Sequence, residues 1–282
     1  EPQSTGIGGD CFALVKRPGK VEILGLNGSG RAPAGLDADM LRSAGHSAIP
    51  QHHPAAVTVP GAIDGFCRLH GDLGRLDLAE VLAPAIHYAD AGVPVAPRVG
   101  FDWTNAPGML HGRARDFYLQ TGAALKTGAM FRAPGQAEVL RRIAQVGRAG
   151  FYEGEVAEDM VTSLRALGGS HTLEDFSATA CDYVTPVSTQ YRDVELIELP
   201  PNGQGATALL LANILGHFDL PGMAPLGAAR AHIEAEATKL AYDTRNRIVA
   251  DFDHTDRLAH MLDPALAAKL AGRIDPRRAM PD

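Results

Sequence analysis

Residues 5–34 read Thr-Gly-Ile-Gly-Gly-Asp-Cys-Phe-Ala-Leu-Val-Lys-Arg-Pro-Gly-Lys-Val-Glu-Ile-Leu-Gly-Leu-Asn-Gly-Ser-Gly-Arg-Ala-Pro-Ala, and their reading decides the fold. Cys11 to Val15 is a short apolar run that leaves the Gly6-Ile7-Gly8-Gly9 turn and stops at Arg17-Pro18-Gly19. Val21 to Leu26 is a second such run, so the pair reads as a β-hairpin. The second strand empties into Asn27-Gly28-Ser29-Gly30, a loop whose glycines let backbone N–H groups approach a ligand. Both glycine loops are expected beside one sheet. Neither matches a phosphate-binding signature: Gly6 to Cys11 lacks the Gly-x-Gly-x-x-Gly spacing, and no Gly-Lys-Ser/Thr follows.

The 282 residues, 45% of them hydrophobic, are enough for a sizeable core in one large or two ordinary domains. Lys and Arg number 26 against 33 Asp and Glu, a net charge of -7 that gives no support to a nucleic-acid or anionic-membrane partner. No apolar run approaches the roughly 20 residues of a membrane span. Cys11, Cys67 and Cys181 are widely spaced in apolar surroundings, which implies neither a disulfide framework nor a cysteine zinc site. The chain opens at Glu1 inside a structured-looking pattern, which points to a leader or first element upstream.

Further along, a short helix is expected within 34–47, with Asp37 or Asp39 near its start and Gly45 at its end. Pro50, Pro54 and Pro60 imply extended and turn structure over 48–65, where the adjacent His52 and His53 point to opposite sides and do not share a metal ion. Asp77 and Glu80 have capping-box spacing before a helix to Ala91, with Pro84 kinking it or marking its start. Val93 to Ala114, rich in Pro and Gly around the sole tryptophan Trp103, reads as a surface excursion. Helices follow over 136–146 and from Val156 to Leu167, then a Thr172/Asp175 cap and a strand at Val194–Leu199. The loop Asn202-Gly203-Gln204-Gly205 leads into a helix from Ala206 to Leu215. Such a loop aims helix-start N–H groups at an anion or carbonyl, or it packs a helix closely on a sheet. Ala228 to Val249 is the longest helix expected, and Asp263 caps a last one ending at Gly272. The Asp251 to His260 cluster fits no metal-ligand spacing and reads as a solvated acidic turn. Arg273 to Asp282 reads as an unfinished tail with Arg277 and Arg278 exposed.

Five stretches together resemble the large subunit of the gamma-glutamyltranspeptidase family, in the N-terminal-nucleophile (Ntn) hydrolase superfamily. They are Glu1-Pro2 with Gly6-Ile7-Gly8-Gly9 and Phe12; Ala32-Pro33-Ala34; Val59-Pro60-Gly61 with Gly65-Phe66; Phe151-Tyr152-x-Gly154 with Gly168-Gly169; and Pro200-Pro201-x-x-x-Gly205 before Asn213-Ile214-Leu215. Glu234-Ala235-Glu236, Ala241-Tyr242 and Arg245 extend the similarity over nearly the whole chain.

The resemblance implies an α+β fold, the αββα four-layer Ntn-hydrolase sandwich, with residues 1–282 as the helix-rich large-subunit part of one domain completed by a separate C-terminal small subunit. It implies a precursor that cuts itself before a threonine, whose hydroxyl then attacks an amide carbonyl with its own amino group as base. The acyl group passes to water or an amine, gamma-glutamyl amides of the glutathione type being the family's substrates. This chain contains no Thr-Thr-His motif, so the resemblance places no catalytic residue in it and makes it inactive alone. No cofactor is implied, two heterodimers are allowed to pair, and the compartment stays open between periplasmic or secreted and cytoplasmic.

In the family, one large-subunit arginine grips the alpha-carboxylate of the glutamyl group, three residues before the Ala-Pro pair. Here that position is Ser29, and Arg31 stands two residues on. A guanidinium makes a bidentate pair with a carboxylate, whereas a serine offers one neutral hydrogen bond of about 1 kcal/mol. Asn-Gly-Ser-Gly-Arg-Ala-Pro is similar instead to the branch named for cephalosporin acylases. Ser29 and Arg31 are therefore the candidate substrate-binding residues, with the Gly6 to Asp10 loop supporting them, and a glutaryl or beta-lactam side-chain acylase is the alternative. A non-catalytic binding or assembly module is the alternative from another class.

Overall fold

A computed structural model describes residues 5–281. They form two compact units: one holds the residues up to Cys11 together with Gly28–Cys181, the other Phe12–Asn27 together with the chain from Asp182 onward.

The second unit contains all but the end residues Cys11 and Gly28 of the expected hairpin, whose strands Cys11–Lys16 and Ile23–Gly28 lie side by side. Sequence reasoning missed the third strand, Asp182–Val184, which runs antiparallel to the second with Leu26 opposite Tyr183. Gly25 is required there: a Cβ would stand 2.8 Å from the Val184 carbonyl oxygen and 2.7 Å from a Leu199 methyl. The strand expected at 194–199 spans Val194–Glu198 and pairs antiparallel with a further unread strand, Val187–Tyr191. The turn between them is two residues long, and its first, Arg192, takes φ 58, as hairpin turns of that length demand.

Helices Gly205–Leu215, Ala228–Ile248 and Pro264–Ala271 supply the core of this unit, where Ala206, Leu210, Ile214, Ala237, Leu240 and Met261 are buried. Asp263 caps the last helix by accepting from the Ala265 N–H, as its position before Pro264 requires. The tail is not loose. Ile274 is buried, Met280 packs on the core, and the Met280 N–H donates to the buried Glu236 carboxylate at 2.8 Å. Lys239 pairs with the same carboxylate at 2.9 Å and donates to the Met280 carbonyl at 3.0 Å. Arg277 and Arg278 are exposed as expected.

The first unit has two apolar clusters. One gathers Val59, Ile63, Leu140, Ile143, Phe151, Tyr152 and Phe176 from helices Ala62–Leu73, Pro134–Val146 and Leu173–Ser177 and the segments beside them. The other centres on Trp103, 2% exposed, whose ring meets Phe131 edge-on at 5.2 Å. The stretch read as a surface excursion thus buries Val95, Val99 and Trp103 while Phe101 and Met109 stay exposed, and it folds into the Pro97–Asp102 helix and further short helical turns. Two other expectations are corrected, and one of two alternatives is excluded. The Ala62–Leu73 helix replaces extended chain beyond Gly61. Asp77 precedes the Leu78–Ala91 helix without a side-chain cap bond, and Pro84 lies inside that helix rather than at its start. The Thr172/Asp175 capping box is present, and the Asp175 carboxylate also accepts from the Ala34 N–H. Among the described residues no helix is long and apolar enough to cross a membrane.

Candidate functional site

Both candidate residues lie in the first unit, on the loop that follows the Ile23–Gly28 strand. Ser29 is half-buried and Arg31 exposed. What fixes this loop is close backbone packing against Val59-Pro60-Gly61. A Cβ on Gly30 would fall 1.3 Å from the Val59 carbonyl oxygen, and one on Gly61 would fall 2.2 Å from the Gly28 carbonyl oxygen. No side chain fits between the two segments, so glycine is obligatory at both positions. The Val59 N–H then donates to the Arg31 carbonyl at 2.9 Å, clamping the far end of the loop. On the other side the Ala62 N–H donates to the Gly9 carbonyl at 2.9 Å. Both glycine loops of the opening stretch thereby meet one segment, residues 59–62.

Behind that segment lies a polar network that sequence reasoning did not single out. The helix Ala62–Leu73 begins at Gly61, which has no side chain to cap it. Its first-turn N–H groups need outside acceptors. Gly9 supplies one, and the Tyr152 hydroxyl supplies another, accepting from the Asp64 N–H at 3.1 Å while donating to the Pro60 carbonyl at 2.7 Å. One phenol thus bridges from Pro60 to Asp64 across Gly61.

The Asp64 side chain, 10% exposed, accepts from the Arg148 Nε–H at 2.5 Å and the Cys181 N–H at 2.6 Å. Arg148 also donates to the Ser177 and Thr179 carbonyls, and its guanidinium lies 4.7 Å over the Tyr152 ring. Burial raises the Asp64 pKa, but hydrogen bonds from Cys181 and Arg148 and the guanidinium charge outweigh it, leaving the carboxyl below its ordinary value. Burial, with the Asp64 charge beside it, pushes the Cys181 thiol up to about 12, so it stays protonated. A sequence signal of this network was Tyr152 within Phe151-Tyr152-x-Gly154; its hydrogen-bond partners Asp64 and Pro60 are 88 and 92 residues away.

The second glycine loop, Asn202 to Gly205, belongs to the other unit. A Cβ on Gly205 would stand 2.3 Å from the Leu199 carbonyl oxygen, so this glycine serves close packing of the helix start on the preceding strand. Asn202 accepts from the Asn27 side chain at 3.1 Å. Among the described residues no group of three or more His, Cys, Asp and Glu side chains is placed to hold a metal ion. His53 accepts from the Ala55 N–H and Asp251 from the Asp253 N–H, each capping a short turn. The first unit also contains an apolar cavity of about 520 Å³ lined by residues including Ile63, Cys67, Leu82, Tyr118 and Phe131; neither Ser29 nor Arg31 reaches it.

A family model described as gamma-glutamyltranspeptidase matches residues 1–282. This chain belongs to the gamma-glutamyltranspeptidase family. It is 34% identical over 277 residues to the glutathione hydrolase-like YwrD proenzyme of Bacillus subtilis, covering 97% of this chain and 52% of that protein. It is also 34% identical over 295 residues to the oxamate amidohydrolase proenzyme of Klebsiella pneumoniae, covering 99% of this chain and 54% of that protein. Among solved structures, the cephalosporin acylase of Bacillus halodurans superimposes with a TM-score of 0.88 at 34% identity, covering 98% of this chain and 52% of that one. The fold is therefore the α+β Ntn-hydrolase fold of the gamma-glutamyltranspeptidases. The chain spans about half the length of these relatives.

Proposed function

We propose that this chain is the large-subunit part of an amide-cleaving acyltransferase or hydrolase of the gamma-glutamyltranspeptidase family, sharing one domain with a small subunit cut from the same precursor. A threonine at the new N-terminus of that subunit attacks the amide carbonyl with its own amine as base, and the acyl-enzyme is released to water or an amine. Two proenzyme relatives support a processed precursor. What supports the reading is the loop Gly28 to Arg31, interlocked with Val59 to Gly61, which carries Ser29 at the sequence position of the family's carboxylate-gripping arginine and Arg31 two residues on.

Gamma-glutamyl amides are the first substrate class under this reading. A second reading, a glutaryl or cephalosporin-type acylase, is favoured by Ser29 in place of the carboxylate-gripping arginine and by the likeness to the cephalosporin acylase. Without the fork of a guanidinium, discrimination for a free alpha-carboxylate weakens. The test has two steps. Mass spectrometry of the purified full-length gene product is expected to find a second polypeptide beginning with threonine; its absence sinks the processing claim. Turnover of a gamma-glutamyl anilide is then compared with that of a glutaryl anilide in wild type and Ser29→Arg. The substitution is expected to raise gamma-glutamyl turnover by about tenfold, the worth of one added charge-assisted pair. No change, or a fall, counts against Ser29 lining the pocket.

A further inference from the structure

We infer that the Tyr152 hydroxyl, held in place by Asp64 and Arg148, is a positioning residue for the acyl pocket. The inference rests on the proposed placement of the pocket at Ser29 and Arg31. The argument is one of connectivity. Ser29 and Arg31 sit on a loop with no regular secondary structure, so what the loop is pressed against helps set their positions. That surface is the backbone of Val59 to Gly61, which meets the loop at Gly30 and Gly61 and at the Val59 to Arg31 hydrogen bond.

Pro60 has no N–H, so it cannot anchor this segment by donating. Its carbonyl is anchored instead by the Tyr152 hydroxyl, which also ties down the Asp64 N–H three residues beyond Gly61. Tyr152 is 1% exposed, so neither bond exchanges with water. The phenol is in turn covered by the Arg148 guanidinium, which the Asp64 carboxylate and the Ser177 carbonyl hold. A shift of the Pro60 carbonyl moves Gly61 against Gly28, where there is no slack to absorb it. Tyr152 touches no substrate under this scheme; it sets where Ser29 and Arg31 stand.

Tyr152→Phe removes only the hydroxyl and tests this in the full-length, processed protein. Phe176→Leu, in the same apolar cluster, serves as a control for lost stability. Hydrogen exchange of peptides covering 28–34 and 57–62 is expected to quicken about tenfold in Tyr152→Phe and to stay unchanged in Phe176→Leu. This measurement does not depend on activity, so a failure of the functional reading leaves it intact. With the gamma-glutamyl and glutaryl anilides, Tyr152→Phe is expected to raise KM about tenfold, to change kcat little, and to alter the ratio between the two substrates. Unchanged exchange over 28–34 overturns the inference. So does a variant whose thermal stability falls while KM and the substrate ratio stay at wild-type values, because a merely structural hydroxyl behaves that way. Should Tyr152→Phe not fold, Arg148→Lys, which keeps the charge but loses the fork, is expected to shift exchange and KM in the same direction by a smaller factor.

Discussion

In the unit that carries Ser29 and Arg31, the Asp64 carboxylate, the partly exposed Arg148 guanidinium and the Tyr152 phenol meet behind the Val59 to Gly61 segment. The unit built on Gly205–Leu215 and Ala228–Ile248 instead packs Ala206, Leu210, Ile214, Ala237 and Leu240, and its buried Glu236 carboxylate fastens the chain near Met280. The contrast separates two jobs. Apolar burial is non-directional and holds helices together. Hydrogen bonds are directional, and here they tie the Pro60 carbonyl and the Asp64 N–H to one phenol. A site whose glycines leave no gap needs the second kind of restraint.

This contrast can be broken most severely in the apolar unit. Leu210 is 0% exposed, and Leu210→Ala is expected to cost about 3–4 kcal/mol by the lost transfer energy and the cavity left behind, read from the midpoint of chemical denaturation. The same experiment is expected to leave exchange over 28–34 unchanged.

Next comes the polar network. Arg148→Ala strands the Asp64 carboxylate, an expected loss of about 3 kcal/mol, at the low end for such pairs because the Arg148 side chain is 30% exposed. The sign of its pH dependence follows from the lowered Asp64 pKa. A carboxyl depressed by folding stabilises the native state above its unfolded pKa of about 4, and that contribution is lost as pH falls through the folded value. Wild type and Asp64→Asn are therefore expected to differ most near neutrality and to converge in stability below about pH 4. A gap that persists in acid breaks the assignment. The smallest effect is expected at the Thr172 cap: Thr172→Ala removes the hydroxyl that accepts from the Asp175 N–H, at a cost of about 1 kcal/mol in a thermal melt.

Much of this architecture was legible from local signals. The opening hairpin, the helices ending at Gly92 and Gly147, and the caps at Thr172 and Asp263 follow from periodicity, turn residues and capping chemistry, each confined to a few neighbouring positions. The misreadings share a cause. The helix after Gly61 has no side-chain cap in its own sequence, because its acceptors come from Gly9 and Tyr152. The strands at 182–184 and 187–191 are short, and the second turns through Arg192 without the glycine that usually betrays a hairpin. Trp103 was misplaced because Pro and Gly around it mark turns, and turns do not reveal whether the aromatic between them is covered by Phe131.

By itself the sequence determined the family, the α+β class and the two pocket candidates, since glycines with a steric obligation and motifs in fixed order leave their mark along the chain. Only the tertiary structure decided what holds those candidates in place. Asp64, Arg148 and Tyr152 become one network through bonds between residues 84 and 88 positions apart, and a half-buried ion pair leaves no periodicity, cap or turn signature for a linear reading to find.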